Sequence, residues 1–109
     1  LPPPAPQASI LLAEDEPGIR SLIRRALESH GFRVAVAASH SEALQIAASL
    51  DSLDLLIADL ELGGADGRQL CATLRNTHPA LKSLLISGYA PDAAHGADAY
   101  LQKPFSPKP

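Results

Sequence analysis

Five side-chain groups able to do chemistry stand in the same kind of place in this 109-residue chain. Each comes at the end of a short, mostly apolar segment. Glu14 and Asp15 follow the run at 9–13, Asp59 follows 53–58, Ser87 follows 81–86, and Lys103 comes just after 99–101. Brought together, the three carboxylates would repel one another, and a hard divalent cation relieves such repulsion. Mg²⁺ fits the donor set, since it prefers oxygen, takes one or two carboxylates and keeps positions for water and phosphate. A carboxylate can also act as a nucleophile and become an aspartyl phosphate. The phosphoryl oxygens would then need positive charge and donors. The metal, Lys103 and the Ser87 hydroxyl would supply them, with backbone N–H groups near Leu60 and Gly88 as additions.

Taken singly, each residue has a plainer reading. Asp15 and Glu16 suit a helix N-terminus. Asp59, Ser87-Gly88 and Asp66-Gly67 suit turns and caps. Lys103 is an ordinary solvated strand end, and Tyr100 an ordinary core aromatic. Their joint occurrence at successive run ends carries the functional reading.

The runs define the elements that must position these groups. Ser9-Ile10-Leu11-Leu12-Ala13 is continuous and apolar, as a strand buried on both faces should be. Pro17 suits a first helical turn. Ile19, Leu22, Ile23, Ala26 and Leu27 then repeat at helical spacing, and Gly31 suits a helix end. The second unit repeats the scheme, with a strand at 33–37, capping-box spacing between Ser39 and Glu42, and a stripe of Ala43, Ile46, Ala47 and Leu50. The third is a strand at 53–58, a loop at 60–67 and a helix with Leu70, Cys71 and Leu74 inward, closed by Pro79. The fourth is a strand at 81–86 and a short polar stretch containing Pro91. A last strand at 99–101 leads to Lys103-Pro104-Phe105. Alternating strands and helices predict a parallel sheet with helices on both faces. Ligands of such sheets bind outside the carboxyl ends of the strands, where the five groups would meet.

Composition narrows the classes. The length allows one domain. No apolar run approaches the roughly 18 residues of a membrane span, and no basic region precedes the first apolar stretch, so no signal peptide is read. A single cysteine, Cys71, excludes a disulfide framework and a cysteine-rich zinc site,. A net charge of -3 speaks against gripping a nucleic-acid backbone,. His30, His40, His78 and His95 share no ligand spacing and are expected at the surface. Residues 1–8, with Pro2, Pro3, Pro4 and Pro6, read as a linker, 9–106 as the domain and 107–109 as a tail,.

In order, the segments ILLAEDEPGIRSLI, LDLLIADLELGGADG, LLISG and ADAYLQKPF resemble the response-regulator receiver domain family over about residues 9–106. The resemblance implies a flavodoxin-like α/β fold: a doubly wound five-stranded parallel sheet of order 2-1-3-4-5. It makes Asp59 the phosphoacceptor. Asp15 would ligate Mg²⁺ directly, Glu14 mainly through water, and the Glu61 backbone carbonyl would complete the site. Ser87 and Lys103 match the family's hydroxyl and lysine, Ser87 and Tyr100 its switch pair, and Lys103-Pro104 a bond usually cis. Glu61 and Tyr89 would flank the site and tune hydrolysis of the phosphoryl group. Against the family pattern, Glu14 replaces an aspartate and Gly63 a proline. The fourth helix is expected to be shortened and the fifth missing or truncated. The implied partner is a histidine kinase or phosphotransfer domain, in the cytoplasm, with no direct nucleic-acid or membrane contact and with weak homodimerisation left open. The proline-rich start and the SGYAPDAA and LQKPFSP segments resemble a receiver within a hybrid sensor histidine kinase. Two rivals stand beside this reading: a pseudo-receiver that binds partners without phosphorylation, and a small Mg²⁺-dependent phosphatase using Asp59, for which Glu61 would be the second acid.

Overall fold

The apolar runs become strands in the computed structural model, which describes residues 8–59, 61–62, 65–87 and 99–102. Strand β1 (Ser9–Ala13) is buried at every residue. Pro17 opens helix α1 (Pro17–Ser29), which follows an extended Glu16. The chain leaves α1 through Gly31 at φ 90°, a left-handed conformation that glycine adopts without the Cβ clash other residues meet,. Strand β2 (Arg33–Ala37) then leads to α2 (His40–Ala48). The capping signal at 39–42 is realised with one residue of displacement. Ser39 Oγ accepts the Glu42 N–H at 3.1 Å, while Glu42 Oε1 accepts the N–H of Ala38 rather than that of Ser39.

Strand β3 (Leu55–Asp59) includes Asp59 as its last residue and begins two residues later than the apolar run. Leu53 lies outside the strand but is still buried. The segment read as a loop at 60–67 is instead, in part, an antiparallel hairpin. Strands β4 (Glu61–Leu62) and β5 (Ala65–Asp66) pair Glu61 with Asp66 and Leu62 with Ala65. Its sequence signal is Gly63-Gly64, the composition that two-residue hairpin connections favour. Helix α3 (Gly67–Leu74) ends five residues before Pro79. The intervening residues turn back on its last carbonyls, with His78 N–H bonded to Leu74 O at 2.9 Å, and Arg75 Nε donates forward to Leu81 O at 3.0 Å. Strands β6 (Lys82–Ser87) and β7 (Ala99–Gln102) complete the main sheet.

The five strands run parallel in the order β2-β1-β3-β6-β7. The expected order therefore holds, and the sheet is doubly wound. Period-two alternation sorts its side chains onto two faces. Leu11, Ala13, Leu56, Ala58 and Leu85 pack with α2 and α3 through Ala43, Ala47, Leu70, Cys71 and Leu74. On the other face Ile10, Leu12, Ile57 and Ile86 pack with Ile23 and Leu27 of α1. That side is thinner among the described residues: no residue of α1 is fully buried, and Leu22 is 39% exposed. An apolar cavity of about 260 Å³ runs between α1 and Ile57, Leu84 and Ile86. The shortened fourth helix, the missing fifth, the linker and the tail lie outside the described residues, save Ala8 at the end of the linker segment. No helix among the described residues is long and apolar enough to cross a membrane.

Candidate functional site

Register builds the site. Ala13 of β1 stands level with Ala58 of β3, and Asp59 level with Ile86 of β6. One step past the pairing of Ala13 with Ala58, the chain reaches Glu14 on one strand and Asp59 on the next. Both therefore emerge at the carboxyl rim of the two central strands. Glu14 N–H donates to Ala37 O at 3.0 Å, which extends the β1–β2 ladder by one residue and fixes where the acidic loop begins.

The carboxylates of Glu14, Asp15 and Asp59 converge, with one oxygen of each lying within 4.8 Å of the others. Their surroundings differ. Glu14 is fully buried and Asp59 is 7% exposed, whereas Asp15 faces solvent. Glu14 Oε2 accepts the Glu16 N–H at 2.9 Å, which turns the carboxylate back over its own loop.

A magnesium ion suits this set. Oxygens sharing one Mg²⁺ stand ~3 Å apart when adjacent and ~4 Å when opposite, from metal–oxygen distances near 2.1 Å. A 4.8 Å envelope closes to that with small side-chain movements, or with water between a carboxylate and the ion. One buried wall and one solvent-facing ligand also match a metal that keeps part of its water.

Ser87 closes β6, and its backbone pairs with Gln102 at the end of β7. The rim thus continues across the sheet, and Tyr100 lies in β7 opposite Leu85. Glu61 opens β4 two residues after Asp59. Lys103, Leu60, Gly88, Tyr89 and the Lys103-Pro104 bond fall outside the described residues. Of the remaining histidines in the described part, His30 is exposed, and His40 and His78 are half-buried.

Sequence reasoning passes over one residue at this rim. Arg20 Nη1 donates to the main-chain oxygen of Glu14 at 2.9 Å. Its signal was a cation in the first turns of a helix, where the helix dipole favours anions.

Comparison with known proteins shows the family and the fold. The family model described as the response regulator receiver domain matches residues 10–109. The sensor kinase CckA of Brucella abortus (strain 2308) is 42% identical over 108 residues, covering 93% of this chain and 11% of the relative. The crystal structure of the receiver domain from hybrid histidine kinase CckA superposes with a TM-score of 0.78 at 36% identity, covering 91% of this chain and 88% of that one. The response regulator protein TrrA of Thermotoga maritima, solved in complex with Mg²⁺ and BeF, gives a TM-score of 0.78 at 30% identity, covering 91% and 89%. The chain spans less than half the length of the first curated relatives it matches.

Proposed function

We propose that Asp59 accepts a phosphoryl group in this chain, which belongs to the response regulator receiver domain family of two-component signalling. The observation that supports this is the meeting of Glu14 and Asp15 with Asp59 at one sheet rim. Receiver domains interact with histidine kinases or phosphotransfer proteins, and such a partner would present phosphohistidine to Asp59. A carboxylate oxygen of Asp59 attacks the phosphorus, and the new O–P bond forms as the P–N bond breaks. The electron pair of that bond leaves with the imidazole, which departs neutral if its other nitrogen carries a proton.

Glu14, Asp15, Asp59 and the Glu61 backbone carbonyl would hold Mg²⁺. When bound, the ion supplies positive charge opposite the phosphoryl oxygens. Lys103 would add a second positive charge and the Ser87 hydroxyl a donor. The modification adds up to about two negative charges at the rim. Ser87 would close on them and Tyr100 would follow inward, switching the face beyond β6. The same site would return to its resting state by hydrolysing its own phosphoryl group. Residues 9–106 would form the functional unit, flanked by a linker at 1–8 and a tail at 107–109. The unit would work in the cytoplasm as the receiver segment of a hybrid histidine kinase, without direct contact to nucleic acid or membrane and with at most weak self-association.

Intact mass after incubation with acetyl phosphate and Mg²⁺ tests the reading. The expected result is one added phosphoryl group on the wild type and none on Asp59→Asn. An unmodified wild type, or an adduct retained in Asp59→Asn, refutes it.

A further inference from the structure

Arg20 sits in the first turns of α1, a position where the helix dipole opposes a cation,. Its half-buried side chain reaches back toward the helix N-terminus, as helical side chains do, and meets the Glu14 carbonyl at 2.9 Å,. Its own N–H bonds to Glu16 O at 2.9 Å, so one residue grips the acidic loop through both main chain and side chain.

The Glu14 carbonyl and the Asp15 N–H belong to one planar peptide unit. Glu14 is held on three sides: N–H to Ala37 O, carbonyl to Arg20, and carboxylate to Glu16 N–H. Those bonds restrict rotation between Glu14 and Asp15. Asp15 needs that restriction most. It is exposed, so packing holds it less than the buried Glu14 and Asp59.

We propose that Arg20 is a positioning residue for the cation site: by holding the Glu14 carbonyl it fixes the 14–15 peptide plane and so aims Asp15 at Glu14 and Asp59. The inference rests on the reading of this cluster as the Mg²⁺ site of a phosphoacceptor.

Mg²⁺ titration by calorimetry on wild type, Arg20→Ala and Arg20→Lys tests it, alongside melting in EDTA and the Asp15 amide resonance. Arg20→Ala should weaken Mg²⁺ binding about tenfold, the scale of a lost charge-assisted hydrogen bond. It should move the Asp15 resonance in the metal-free protein and lower the EDTA melting temperature by ~5–10 °C while keeping a cooperative transition. Arg20→Lys, which keeps a charge and a donor, should recover part of the affinity. Phosphorylation by acetyl phosphate should reach the wild-type plateau at saturating Mg²⁺, with only the half-saturating concentration raised.

Unchanged Mg²⁺ affinity in Arg20→Ala, with a wild type that is phosphorylated, overturns the role of Arg20 and leaves the phosphoacceptor reading standing. Equal loss in both variants together with a collapsed melting temperature also overturns it, since Arg20 would then be a structural residue. A wild type that neither binds Mg²⁺ nor gains mass removes the phosphoacceptor reading, and this inference with it.

Discussion

Glu14 Oε2 accepts the N–H of Glu16, two residues along the chain, at 2.9 Å. The longer stem of glutamate, where the family pattern has aspartate, lets a fully buried carboxylate serve its own loop and the acidic cluster at once. The two duties can be separated. Glu14→Gln keeps an oxygen for the Glu16 N–H but removes one charge from the cluster. In EDTA it should raise stability by about 1 kcal/mol, because like charges no longer repel as strongly. Glu14→Ala removes the acceptor as well, and should lower stability by about 1–3 kcal/mol. Urea unfolding of both variants in EDTA checks the opposite signs. Equal losses would mean that repulsion in the cluster does not reach the fold.

Leu56 tests the independence of core and site. It is fully buried in β3, level with Leu11 of β1 and Ser83 of β6, three residues before Asp59. Leu56→Ala should cost about 2–5 kcal/mol, through lost burial and the cavity left behind. That is a large share of the roughly 5–15 kcal/mol that holds a domain of this size. The urea midpoint should fall with little change in slope. Well below its transition the variant should still take a phosphoryl group, because the rim depends on register rather than on this side chain.

The cap at the start of α2 gives a local test. Ser39 Oγ and Glu42 Oε1 together satisfy the N–H groups of Glu42 and Ala38. Ser39→Ala should cost about 1 kcal/mol. The double variant Ser39→Ala with Glu42→Ala should cost less than the sum of the single changes, because both side chains organise one helix entry. Thermal unfolding of the four proteins closes the cycle.

The central strands and the acidic rim were legible in the sequence because parallel strands buried on both faces leave continuous apolar runs. Whatever polar residue ends such a run must then lie at the rim. Asp59 could be assigned to it without knowing any contact. Two features were harder to read. The β4–β5 hairpin is only two residues on each side, too short for alternation to show, so its one signal was Gly63-Gly64. Arg20 was hidden because a helical stripe records only apolar positions. Its role comes from a main-chain carbonyl six residues back, which no side-chain pattern reports. Ile19, Leu22, Ile23, Ala26 and Leu27 read as one helical face, and spacing alone did not report that none of them is fully buried.

Metal addition should reverse the ranking of the acidic variants. An ion that binds only the folded state stabilises it by RT ln(1 + [L]/Kd), or about 1.4 kcal/mol at ten times Kd. For a domain of this length that raises the melting temperature by ~5–10 °C. Asp15→Asn and Asp59→Asn remove a ligand and a repelling charge together. Each should therefore melt above wild type in EDTA and below it in saturating Mg²⁺. Sodium chloride at matched ionic strength is the necessary control, because it screens the exposed Asp15 without filling the site,. Screening alone would raise wild type equally in both salts. Only an ion held by Glu14, Asp15 and Asp59 makes the melting curves of wild type and variants change order between EDTA and Mg²⁺.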